Sequence, residues 1–116
     1  AGVCRARGAR LEMNILAGYP PMDNHSQANE ILAANYARLF GRGRIATTEL
    51  VLGGEDFAWY LKKTKGAMFR LGIKNKKIKA DKPWHSPQFI ADEAALHYGT
   101  ALLTASVLDC LSEKSK

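Results

Sequence analysis

Three groups of residues in this chain have types and spacing that could do chemistry. The first is Trp84-His85-Ser86-Pro87, which follows Pro83 directly. Prolines on both sides restrict the backbone, so the imidazole is held rigidly, which suits a metal ligand or an acid–base group. A lone histidine also serves purely structural ends, and His85 by itself does not separate the two. The second group is Gly53-Gly54-Glu55-Asp56-Phe57, a glycine pair directly before an expected helix with two carboxylates in its first turn. Helix starts carry unpaired N–H groups, and glycines let a ligand approach them. A tight turn with acids placed well against the helix dipole accounts for the same residues. The third is Gly18-Tyr19-Pro20-Pro21 with Asn24, for which a hinge and a helix cap are explanation enough.

His25 falls in the first turn of an expected helix and His97 in the middle of another. Neither has a Cys, His or carboxylate at a recognised metal spacing, so both read as structural or surface residues. The sequence holds no phosphate-binding glycine loop, no paired-cysteine motif and no nucleophile elbow.

The elements that must position these groups follow from periodicity. Residues 1–8 read as the tail of a helix closed by Gly8. Ala9, Leu11, Met13, Ile15 and Ala17 alternate with mainly polar neighbours, the pattern of a half-buried strand that Pro20 and Pro21 end. A helix follows, with Asn24 as N-cap, Gln27 completing a capping box, and a mostly apolar stripe through Ala28, Ile31, Leu32, Asn35, Tyr36 and Leu39. Gly41-Arg42-Gly43 stops it. Residues 44–52 suggest a strand or an extended loop. A second helix is expected from Glu55 to about Thr64 with Gly66 as its C-cap, then a strand through Ala67, Phe69, Leu71 and Ile73. The last helix starts near Asp92. Its run from Ala94 to Leu111 is apolar nearly all round, which predicts deep packing, with Leu96, Gly99, Leu103, Ser106 and Cys110 along one face.

Composition narrows the classes. Hydrophobic residues at 47% and charged residues at 24% are ordinary for a globular protein. Seventeen Lys and Arg against eleven Asp and Glu give a net charge of +6. Much of that excess sits in Lys74-Asn75-Lys76-Lys77-Ile78-Lys79 and Lys82, a solvated loop without interleaved aromatics to stack bases, which argues against a nucleic-acid binder. No run of 18 apolar residues offers a membrane span. Cys4 and Cys110 are too few for a disulfide framework and read as reduced thiols of an intracellular protein. The first residue is not Met, as expected of a chain cut from something longer or processed.

Taken in order, Gly-Tyr-Pro-Pro-x-x-Asn, a helix, Gly-Gly-Glu-Asp-Phe-Ala-x-Tyr-Leu, Gly-Ala-Met-Phe-Arg-Leu-Gly-Ile, His-Ser-Pro-x-Phe and Asp-Glu-x-Ala-Leu-x-x-Gly form one series. Over residues 9–113 it resembles the C-terminal end of metallopeptidase family 20, in its hippurate hydrolase, N-acyl-amino-acid amidohydrolase and auxin-conjugate hydrolase branch. The resemblance implies an α/β fold. Residues 1–20 would end an α+β lid and dimerisation domain with its last strand. Residues 21–116 would be the C-terminal part of a zinc-peptidase-like catalytic domain, helices packed on a mixed sheet. It implies hydrolysis of N-acyl amino acids or similar small amides at a centre of two divalent ions, zinc or manganese. His85 matches the family's C-terminal metal ligand, and Gly53 and Gly54 match a turn lining the substrate pocket. Glu55 and Asp56 would support that turn or serve the fold. The family's other ligands and its general-base glutamate match no residue here, so the chain alone would be inert. The parent would be a cytoplasmic homodimer joined through its lids, binding neither nucleic acid nor membrane. A non-catalytic binding module derived from the same fold is the alternative.

Overall fold

The computed structural model describes residues 2–113. Four α-helices organise them: α1 (Gly2–Ala6), α2 (Ser26–Phe40), α3 (Phe57–Leu61) and α4 (Ala95–Glu113), with short 3-10 turns at Arg42–Arg44 and Lys76–Ile78. α1 ends as its sequence suggests: Gly8 adopts φ 68° and the Ala9 N–H reaches back to Cys4 O at 2.8 Å.

The expected mixed sheet is not present among the described residues. The single β pairing there is a bridge between Asn75 and Ala80. Residues 9–17 and 67–73, both expected as strands, form no ladder. The alternation in these runs is real, but a strand's N–H and C=O groups need a neighbour to pair with, and no other segment among the described residues supplies one. Side chains meant for a buried face therefore face solvent, Ile15 being 76% exposed. Residues 45–52 are likewise without regular structure.

What core there is lies between α2 and α4. Phe40 stacks edge-on against Tyr98 at 4.8 Å, and Asn35 Nδ2 donates to Asp109 Oδ2 at 2.7 Å, so the two helices run antiparallel. Asn35, in the middle of the apolar stripe of α2, is only 1% exposed. It is tolerated there because its amide also donates to Ile31 O at 3.1 Å and its Oδ1 accepts from Arg38, so both polar atoms of its side chain are paired, whereas the buried Ser106 Oγ of α4 has no partner among the described residues. α4 also leans on residue 71: a Cβ built on Gly99 would lie 2.9 Å from Leu71 Cδ2.

α4 is covered on one face alone. Ala95, Leu102 and Ser106 are buried, while Leu96, Leu103, Val107, Leu108 and Leu111 remain about half exposed or more. The face expected through Leu96, Gly99, Leu103, Ser106 and Cys110 is thus divided: Leu96, Leu103 and Cys110 point outward while Ser106 is buried and Gly99 meets Leu71, and the expectation of deep packing fails on the outward side. The chain exposes 10198 Å², against about 6,300 Å² for a compact chain of its mass. Its radius of gyration is 20.4 Å, against about 13 Å.

The helix caps also depart from expectation. The N-cap of α2 is His25, whose side chain makes no capping bond. Asn24 instead spends its amide on the backbone of Met68, Nδ2 donating to the carbonyl at 2.8 Å and Oδ1 accepting from the N–H at 3.0 Å. α3 is shorter than the expected Glu55–Thr64, and Gly66 is not its C-cap. Gly66 lies under Leu61 and Phe57, and its carbonyl accepts from His25 N at 2.9 Å. Asp92 does open α4, its Oδ1 accepting from Ala94 N at 3.0 Å.

Candidate functional site

Two of the three candidate groups meet. The ring of Tyr19 lies flat on Gly54: a Cβ there would sit 2.6 Å from Tyr19 Cδ2, which is impossible without movement. Only glycine lets the ring come this close. The Asp56 carboxylate raises the phenol pKa of Tyr19, first through hydrogen bonding to the hydroxyl, then through its charge and slight desolvation. Glu55 turns the other way, its Oε1 accepting from Phe57 N at 3.1 Å and so capping α3. The two adjacent acids thus have separate tasks. Gly53 and Gly54 both lie exposed at the bend between them and the irregular run before.

His85 stands in a separate turn. Ser86 N donates to Pro83 O at 3.2 Å, which places His85 at the third position of that turn with φ 62°. This left-handed conformation favours glycine, and a histidine held in it is a site of local strain. A second turn follows at once, with Phe89 N donating to Ser86 O at 3.0 Å and Gln88 N to Ser86 Oγ at 3.2 Å. The imidazole is exposed and makes no hydrogen bond among the described residues. The neighbouring Trp84 is covered by the Arg70 guanidinium, 5.1 Å from the ring centre, a contact worth about 0.5–1 kcal/mol at an exposed position. Trp84, Leu71, Ile73, Phe89 and Ile90 line an open apolar groove of about 550 Å³ with Lys74 and Lys82 at its rim.

A structural or catalytic zinc site takes three or four protein ligands. Among the described residues no group of three His, Cys, Asp or Glu side chains converges, and Asp81, near His85 in sequence, pairs with Lys82 at 3.6 Å. These residues alone therefore do not fit a metal centre. His25 and His97 complete no such group: His25 occupies the N-cap position of α2, where its side chain makes no capping bond, and the His97 ring rests on Tyr98 at 3.9 Å. Both cysteines are free. No helix among the described residues is long and apolar enough to cross a membrane.

The Tyr19–Asp56 contact and the Arg70–Trp84 stack escaped the sequence. Tyr19 stands 37 positions before Asp56, and no local periodicity ties an aromatic residue to a carboxylate at that distance.

A chain with this order of helices, glycine turn and histidine turn matches the model of peptidase family M20/M25/M40 over residues 4–109. The chain belongs to that family, in its amidohydrolase branch. Among its relatives, a protein of Synechocystis named as a probable hydrolase is 39% identical over 105 residues, covering 90% of this chain and 27% of its own length. An IAA-amino acid hydrolase ILR1-like protein of Arabidopsis thaliana is 30% identical over 83% of this chain and 21% of its own. An N-acetyldiaminopimelate deacetylase of Streptococcus sanguinis is 32% identical over 84% of this chain and 24% of its own. The chain spans about a quarter of the length of these curated relatives. No solved structure matches it significantly.

Proposed function

We propose that this chain is the closing part of a metal-dependent amidohydrolase that cleaves the amide bond of N-acyl amino acids or similar small amides. Residues 1–20 end the lid domain, through which two copies dimerise, and residues 21–116 complete the catalytic domain. His85 contributes one ligand to a centre of two divalent ions, zinc or manganese, whose remaining ligands come from parts of the protein that these residues do not include. Gly53 and Gly54 line the substrate pocket. The names of two relatives, an amino-acid conjugate hydrolase and an N-acetyl deacetylase, support an acyl group on an amino-acid nitrogen as the bond attacked.

The observation that carries this reading is the presentation of His85. An exposed imidazole without a hydrogen bond, fixed at φ 62° in a proline-bounded turn, is strained for no gain among the described residues. A ligand bond made elsewhere would offset that strain. The test is His85→Ala in the full-length protein, with metal content and amide hydrolysis both measured. The expected result is loss of one metal equivalent and a fall in activity of at least a hundredfold, with His97→Ala unchanged in both. Equal metal content and activity in wild type and His85→Ala would remove the proposal.

A further inference from the structure

We propose that Tyr19 is a positioning residue: it latches the segment 18–24 onto the Gly53–Gly54 turn and so sets the orientation of that turn. This rests on the reading above, in which Gly53 and Gly54 line the substrate pocket and residues 18–24 cross from lid to catalytic domain.

The segment is fastened at two points on either side of α3. Beyond the helix, Asn24 holds both backbone groups of Met68 and the Asn24 amide also reaches Asn29 Oδ1 at 3.0 Å, while His25 N holds Gly66 O. Before the helix, the Tyr19 ring packs against Gly54, where a Cβ would lie 2.6 Å from Tyr19 Cδ2, and the Asp56 carboxylate acts on its hydroxyl. Pro20 and Pro21 lie between the two fastenings, and each fixes φ near about −65°, so little slack separates them. The two ends differ in strength. The Asn24 end uses several bonds to partly buried backbone, whereas the Tyr19 end relies on the contact of its ring with Gly54 and on Asp56 beside its hydroxyl, at a residue 55% exposed. Tyr19 is therefore the end that releases, and a shift of the crossing reaches the glycine turn through this ring. Asp56 is the charged group that meets the hydroxyl, since Glu55 is engaged with Phe57 N.

Two measurements on the full-length protein test the latch. The first follows the phenol of Tyr19 by carbon NMR against pH, its resonance assigned by the Tyr19→Phe difference, and needs neither metal nor substrate. The expected result is titration above the ordinary phenol value in wild type, returning toward that value in Asp56→Ala and in Gly54→Ala, whose new methyl displaces the ring. An ordinary midpoint in wild type, or no change in either variant, would overturn the contact. The second is steady-state amide hydrolysis by Tyr19→Phe. The expected result is a KM raised roughly 2- to 10-fold, the range of one hydrogen bond, with kcat held. A perturbed phenol with unchanged KM would overturn the positioning role while leaving the contact in place. A protein without amide hydrolysis would fail the proposed function, and with it the positioning role, yet the titration would still read the latch.

Discussion

Replacing Asn24 by alanine removes the one side chain that this chain uses in place of a neighbouring strand. Its amide offers Met68 a donor at 2.8 Å and an acceptor at 3.0 Å, the two bonds a paired strand would make. Both are partly buried, and each contributes about 1 kcal/mol net. The third bond, to Asn29, is exposed and adds little. The sum is about 2 kcal/mol, which corresponds to a roughly 30-fold change in the opening equilibrium at this point. Amide hydrogen exchange reads it directly, because the Met68 N–H has Asn24 Oδ1 as its acceptor. In Asn24→Ala the Met68 amide is expected to exchange about 30-fold faster, with His25 N–H, which keeps its bond to Gly66 O, less affected. Asn24→Asp keeps an acceptor but turns an oxygen toward the Met68 carbonyl, so it is expected to lose as much. An unchanged Met68 amide in Asn24→Ala would refute the clamp.

Three further outcomes follow from the same contacts. Gly99→Ala gains about 1 kcal/mol of helix propensity, and the methyl it meets is the tip of Leu71, which faces an open groove and has room to turn; the expected result is unchanged or slightly raised thermal stability, and a loss above about 2 kcal/mol would show the contact to be rigid. The raised phenol of Tyr19 favours the folded state fully below the ordinary value of about 10, and that contribution is lost as pH rises through the higher folded value. The melting difference between wild type and Tyr19→Phe is thus expected to hold to about pH 10 and shrink beyond it, and a difference that grew with pH would contradict the sign. The outward face of α4 bears Leu96, Leu103, Val107, Leu108 and Leu111, so the isolated chain is expected to self-associate at micromolar concentration and bind an apolar dye; a compact monomer with no dye response in sedimentation would contradict it.

Local signals in this sequence proved accurate where the physics is local. Gly8 ends α1, Gly41 at φ 80° ends α2 and Asp92 opens α4, since each depends on groups within a few residues. The alternating runs at 9–17 and 67–73 failed for the opposite reason. Alternation states which side chains would share a face, but a strand exists only when a second segment pairs with it, and pairing is not a property of the run. The face of α4 was missed by a related route. A helix apolar nearly all round carries little information about which side is covered, so Leu96, Leu103 and Cys110, which lie exposed, read onto one face with Ser106, which is buried.

The candidate site divides along the same line. The two acids expected in the first turn of the next helix fall just before it, but that Gly53-Gly54 forms a bend and that His85 sits in a constrained turn was legible, because prolines and glycines act on their own neighbourhood. Which acid does what was not. Glu55 and Asp56 are adjacent and chemically alike, and only the arrival of Tyr19 separates them, leaving Glu55 to the helix and giving Asp56 to the crossing segment. Asn24 shows the same ambiguity from the other side. Its amide suits a helix cap and a strand edge equally, and the free backbone of Met68 decides between them. His85 is the limiting case: its turn is written in Pro83 and Pro87, but an imidazole with no partner among the described residues takes its chemical meaning from whatever residues are brought to it.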